Sequence, residues 1–163
     1  MERVAPETAV ESIQLHREIV SFRAAGQDFC IDIGLVREIR GWTPTTLLPR
    51  APDFVTGVMN LRGNVIPVID LALRLGLGRT EPTERHVIVI ANLGGGTVGL
   101  LVEAVSDIIT VEAEGLRPTP EVAGGGGNGF VEGVFTVEDA LIRALDLSRV
   151  LPAAEKPLED VML

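Results

Sequence analysis

The stretch Phe54-Val55-Thr56-Gly57-Val58 returns 76 residues later as Phe130-Val131-Glu132-Gly133-Val134. The same step carries Ile69-Asp70-Leu71 onto Leu145-Asp146-Leu147. Working outward, residues 18–39 overlie residues 87–108 at a constant step of 69 without a gap, pairing Ile19 with Ile88, Phe29 with Val98, Ile31 with Leu100 and Ile39 with Ile108. The two steps differ by seven, roughly the length of the glycine stretch at 124–129. A loop accepts such an insertion cheaply, because closure entropy grows only with the logarithm of its length. Chance explains aliphatic matches easily, but less well the ordered return of Gly57 on Gly133 and of Asp70 on Asp146. The chain reads as a duplication.

Each copy is a series of short strands. EIVSF (18–22), FCIDI (29–33), VREIR (36–40), NVIPVID (64–70), HVIVIA (86–91), TVGLLV (97–102) and VSDIITV (105–111) are rich in Val and Ile and are divided by Gly, Pro, Asn or Asp. Residues 57–63 read as a loop leading into the strand at 64. Helix signals are few. The best is Asp70 ahead of LALRLG, where the carboxylate caps a first turn and Gly76 ends it. A five-strand unit of about 70 residues is too small to bury much surface alone. Two such units, interlocked and sharing one hydrophobic interface, are therefore expected, with a cleft between lobes of roughly 17–84 and 85–151. Residues 1–16, with His16, and residues 152–163 read as tails.

Composition removes several function classes. The 163 residues are 46% hydrophobic and carry a net charge of −9, so the chain can build a core and does not offer the cationic face that nucleic acid requires. The two tails hold six of the 23 acidic residues and two of the 14 basic ones, so about half of the excess acidity lies outside the fold. There is no Tyr and one Trp, which is poor material for base stacking. No apolar run reaches the roughly 18 residues of a membrane span, and the acidic start lacks the features of a signal peptide. A soluble, intracellular protein is expected.

Groups for chemistry are scarce. His16 and His86 have no serine or acid at a motif spacing, and no G-x-S-x-G occurs. Cys30 lies within a strand between Phe29 and Ile31 and reads as a buried structural thiol. Gly94-Gly95-Gly96 joins two strands and lacks the Lys of a phosphate loop, and Gly124–Gly127 has no cationic neighbour. No catalytic group, metal site or cofactor site is expected. What stands out is Gly57-Val-Met-Asn-Leu-Arg62-Gly63, which sets one Arg between glycines; Arg bonds carboxylates bidentately and is frequent at interface hot spots.

Here the chain resembles the CheW family of bacterial chemotaxis coupling proteins. The resemblance runs from near residue 17 to 151. It rests on Ile-Asp-Ile (31–33), Val-Arg-Glu-Ile-Arg-Gly (36–41), Phe-Val-Thr-Gly-Val-Met-Asn-Leu-Arg-Gly (54–63) and Ile-Pro-Val-Ile-Asp-Leu (66–71). The second half adds Val-Gly-Leu-Leu-Val-Glu-Ala-Val-Ser-Asp-Ile (98–108) and Leu-Arg-Pro-Thr-Pro-Glu (116–121). The resemblance implies a mostly β fold of two tandem five-stranded SH3-like barrels around a shared core, with one or two short helices. It also implies a non-catalytic adaptor that binds the chemoreceptor tip and the CheW-like regulatory domain of the histidine kinase CheA. Such an adaptor works in the cytoplasm, recruited to receptor arrays at the inner face of the membrane, where further CheW copies can join the rings.

On this resemblance a groove between the lobes holds the receptor helix, at Val36, Glu38, Gly57, Asn60, Leu61, Arg62 and Gly63. Kinase contacts fall on Ile31, Ile33, Ile39 and Trp42 in the first lobe and on Arg117 and Phe130 in the second. The glycine run at 122–129 departs from the family pattern, and little chain follows Leu151 to form a C-terminal helix. No receiver domain, ATP-binding segment or phosphotransfer segment follows, which sets aside a CheV-type fusion and a kinase. Two other readings stay open: a small-molecule sensor using the interlobe cleft, and a CheW-like adaptor of a non-flagellar pathway.

Overall fold

The computed structural model describes residues 15–119 and 128–151. The expected tails beyond these residues, and most of the glycine run, lie outside the described residues. Ten strands follow in order: β1 (His16–Ala24), β2 (Gln27–Asp32), β3 (Val36–Gly41), β4 (Val55–Leu61), β5 (Asn64–Asp70), β6 (Val87–Leu93), β7 (Gly96–Val102), β8 (Ala104–Glu112), β9 (Val131–Val137) and β10 (Ala140–Leu145). Two single-turn helices, α1 (Leu71–Arg74) and α2 (Leu147–Val150), follow β5 and β10. The duplication is thus complete at the level of elements, five strands and one helical turn per copy. His16 opens β1 rather than ending a tail, and residues 57–61 belong to β4, so only Arg62 and Gly63 form a turn.

The sheets do not follow the sequence halves. One sheet has the order β8-β1-β2-β10-β9 and the other β3-β6-β7-β5-β4. The division expected at residue 84/85 is therefore a boundary between repeats and not between lobes. One lobe is built from residues 36–102. The other combines the opening hairpin with residues 104–150. Each repeat gives its first hairpin to one sheet and its other three strands to the second sheet. The repeats meet twice within each sheet, at a parallel seam (β5 with β7, β2 with β10) and at an antiparallel one (β3 with β6, β1 with β8).

Four hairpins close with two-residue turns in which both φ angles are positive: Ala25-Gly26, Arg62-Gly63, Gly94-Gly95 and Glu138-Asp139. This mirror-image turn matches the right-handed twist of the strands it joins. Asp70 caps α1 by accepting from the Leu73 N–H at 3.3 Å, and Asp146 caps α2 by accepting from Ser148 N–H at 3.1 Å.

The central core lies between the sheets and draws on both, with Phe22, Phe29 and Ile31 of one facing Val89, Leu100 and Ile69 of the other. The opposite faces close smaller cores, around Ile19, Cys30 and Phe135 in the composite lobe and around Val68, Ile88 and Leu101 in the middle lobe. Strands such as β6 and β7 are buried on both faces, which is why Val-Ile-Val-Ile and Val-Gly-Leu-Leu-Val run without polar alternation. Neither lobe encloses its apolar surface alone.

Candidate functional site

Five of the seven expected receptor residues, Glu38, Asn60, Leu61, Arg62 and Gly63, come together at one end of the middle lobe. The β4–β5 hairpin folds across the barrel end towards β3, the edge strand of its sheet. At its tip Arg62 reaches Glu38 with two nitrogens, Nη1 at 3.2 Å from Oε2 and Nη2 at 3.1 Å from Oε1. Arg40 Nη1 approaches the same carboxylate at 3.5 Å. Asn60 Oδ1 accepts from the Gly63 N–H at 2.8 Å and braces the turn. Beside these groups is a groove of about 490 Å³, lined by Glu38, Leu61, Arg62, Val65 and Ile90 among others, all from the middle lobe. These five expected residues therefore border a groove on a single lobe and not the cleft between lobes. The reason is the strand exchange: β3, β4 and β5 all belong to one sheet.

The Arg62 side chain is 68% exposed. An ion pair so exposed adds little to stability, at most about 1 kcal/mol. Its effect is to hold a planar five-donor group in a fixed direction at the lip of a groove, ready to exchange one acceptor for another. Arg62 also takes a left-handed conformation, φ 51°, where Asn or Gly is the common choice.

Other expected residues are placed differently. Gly57 is buried, and a Cβ on it would stand 2.5 Å from the Thr46 carbonyl oxygen, because the chain at Thr46 bridges to Val58 across it. Gly133 is in the same situation beneath Arg117, at 2.6 Å from its carbonyl oxygen. Both glycines are structural, each allowing a segment to cross its sheet, and Gly57 is not a contact residue. Val36 packs against the central core. Among the expected kinase residues Ile31 is 2% exposed and lies in that core, with only an edge left to line a neighbouring cleft. Phe130 also packs on the central core. Ile33 is half-buried in a one-turn 3-10 helix, and Trp42 is half-buried over the middle-lobe core as a barrel-end plug. Ile39 and the Arg117 side chain are exposed.

The structure adds residues that sequence reading missed. Val65, opposite Asn60, lines the Arg62 groove and a neighbouring one, and Arg40, on the neighbouring groove, shares the Glu38 carboxylate. Exposed large apolar side chains also repeat between lobes: Ile39 and Val65 on the middle lobe match Ile108 and Leu141 on the composite lobe. The steps of 69 and 76 carried this signal already. A third addition is Arg74, whose guanidinium lies 4.3 Å from the ring centre of Phe54 and 4.9 Å from that of Phe130. Its nitrogens also donate to the carbonyls of Val150 and Arg149. One cation thus joins the two phenylalanines that correspond at the step of 76, and burial lowers its pKa.

This duplicated, strand-exchanged architecture matches known proteins. The family profile of the CheW-like domain covers residues 18–155. The chain belongs to the CheW family. It is 48% identical over 140 residues to the chemotaxis protein CheW of Rhizobium meliloti (strain 1021), covering 86% of this chain and 90% of that protein. It is 46% identical over 148 residues to the probable chemotaxis protein CheW of Rhizobium etli, covering 90% and 96%. Among solved structures it is similar to the scaffolding protein TtCheW of Thermoanaerobacter tengcongensis, with a TM-score of 0.77 at 33% identity over 86% of this chain and 90% of that one. The mostly β, two-lobed fold expected from the family motifs is the fold observed. Among the described residues no helix is long and apolar enough to cross a membrane.

Proposed function

We propose that this protein is a non-catalytic chemotaxis adaptor that couples chemoreceptors to the histidine kinase CheA. A coupling protein needs at least two separate faces for proteins. The observation that carries the reading is the recurrence of exposed apolar residues on both lobes, Ile39 and Val65 on one and Ile108 and Leu141 on the other. Exposed aliphatic residues on strands, placed alike by the duplication, suit contacts with proteins built on the same plan, as the regulatory domain of CheA is in this family. The Arg62–Glu38 groove is a further face, polar at its lip and apolar at its floor, and we assign it to the receptor tip with Asn60, Leu61 and Gly63. Ile39 remains in the kinase assignment, with Ile108 added, and Ile31 and Phe130 are removed. The protein then works at receptor arrays on the cytoplasmic side of the membrane.

The test is a pair of surface charges in the full chain. Arg62→Glu is expected to reduce capture of a receptor cytoplasmic fragment at least tenfold while leaving CheA capture and thermal unfolding nearly unchanged. Ile108→Asp is expected to weaken CheA capture and spare the receptor. Equal loss of both partners in either variant, or unfolding of Arg62→Glu, would overturn the site assignment. Normal receptor-dependent kinase activation with both changes combined would overturn the adaptor reading.

A further inference from the structure

The duplication breaks at the parallel seams. In the middle lobe the parallel seam has three rungs: Val68 beside Gly99, Ile69 beside Leu100 and Asp70 beside Leu101. The repeat steps carry these onto Ala144 beside Cys30, Leu145 beside Ile31 and Asp146 beside Asp32. Only the first of these forms, below a rung of Arg143 and Phe29, and there the seam stops. The last missing rung would place two aspartates together where the middle lobe has an aspartate and a leucine. Like charges on neighbouring strand positions are unfavourable. Asp70 is buried and satisfied by the Thr80 N–H at 2.8 Å and the Thr80 hydroxyl at 2.6 Å. Asp32 and Asp146 instead face outward, each with one arginine, Arg17 and Arg149, both at 3.4 Å.

Where β2 and β10 part there is a cleft of about 590 Å³. Its floor is apolar, with Ile19, Ile31, Leu145 and Leu147, and Leu93 of the other lobe closes one side. Asp32, Glu132 and Asp146 stand around it against a single lining cation, Arg17. Arg17 is already engaged, paired with Asp32 and lying 5.6 Å over the Phe135 ring. Glu132 forms no ion pair among the described residues. The cleft is therefore greasy at its base and acidic at its mouth.

We propose that this interlobe cleft takes a lysine or arginine side chain presented by a protein partner. The aliphatic stem lies on the floor and the cationic head sits between Glu132 and Asp146, the division of labour such side chains adopt at apolar surfaces. A wholly apolar occupant would cover Glu132 without compensation, and an acidic one would add like charge to the three carboxylates. The site is separate from the Arg62 groove. It rests on the adaptor reading only in taking its occupant to be a protein.

A probe that needs no partner lets the two readings fail separately. In the full chain with labelled Ile and Leu methyl groups, pentylammonium is expected to shift the NMR signals of Ile31, Leu145 and Leu147 saturably. Pentanoate is expected to leave them in place. Glu132→Gln, on an exposed side chain that folding does not need, should weaken pentylammonium binding about fivefold, whereas Arg62→Glu should not. The proposal is overturned if tens of millimolar pentylammonium moves none of these signals. It is also overturned if pentanol binds as well, which would mark an apolar small-molecule site. Binding seen only after truncation beyond Leu151 would assign the cleft to this chain's own Lys156 and reject an external partner.

Discussion

Replacing Gly57 by alanine separates a structural role from a binding role at a position inside the family's most recognisable motif. The added Cβ would stand 2.5 Å from the Thr46 carbonyl oxygen and 2.7 Å from Thr45 Oγ1, so the crossing segment must retreat by close to 1 Å. Two backbone hydrogen bonds are then stretched, Thr46 N–H to Val58 at 2.9 Å and Val58 N–H to Thr46 at 2.8 Å. At about 1 kcal/mol each, with a similar term for strain, the cost is about 3 kcal/mol. An unfolding entropy of about 2.1 cal/mol/K per residue, over a domain of roughly 135 residues, turns this into a fall in Tm of about 10 °C. Calorimetry is expected to show one transition, moved down with its shape retained, because the lobes share a core. Gly133→Ala should move it by a similar amount. Receptor capture per folded molecule should be unchanged. A Gly57→Ala protein with wild-type Tm and lost receptor capture would refute this account and return Gly57 to the contact surface.

Other substitutions test the neighbouring claims. Arg62→Asn is expected to raise stability by about 0.5 kcal/mol in urea unfolding, since asparagine suits the left-handed turn position, while receptor capture falls. Arg74→Ala removes two ring contacts and two carbonyl bonds and is expected to cost about 2–3 kcal/mol by denaturant unfolding. Burial pushes the Cys30 thiol from 9.0 up to about 12. Its contribution to stability is therefore full below the unfolded-state pKa and is lost as pH rises from about 9 towards 12. Native protein at pH 8 should resist a thiol-specific reagent and react fully in denaturant; prompt native labelling would contradict the buried placement.

Local pattern reading recovered most strands because it depends on neighbours along the chain. The 64–70 strand is β5 at both ends, and Asp70 does cap a helical turn. β4 was hidden because its Gly57 and Asn60 read as loop residues, although the first was chosen for the crossing of Thr46. The strand exchange was not legible. A repeat step shows which residues correspond, but not whether a hairpin pairs within its own copy or with the other. Site residues divided in the same way. Exposed Arg62 and half-buried Glu38, both named by the family resemblance, are brought together from opposite edges of one sheet, whereas Ile31 carries no mark that distinguishes a buried isoleucine from a docking one. Ile108 and Leu141 needed only the step applied to exposed positions, which alternation in β8 does not show because its exposed run is almost unbroken.

The composite lobe also has a history imposed by the direction of protein synthesis. β1 and β2 leave the ribosome first, yet their sheet partners β8, β9 and β10 are made last. At about 5–20 residues per second, the opening hairpin waits several seconds or longer with Phe22 and Phe29 uncovered. The middle lobe has all of its strands by residue 102. It can close earlier and offer that hairpin an apolar face to rest on. The nascent chain is thus assembled from its middle outward, and its first-made segment is the last to find its place.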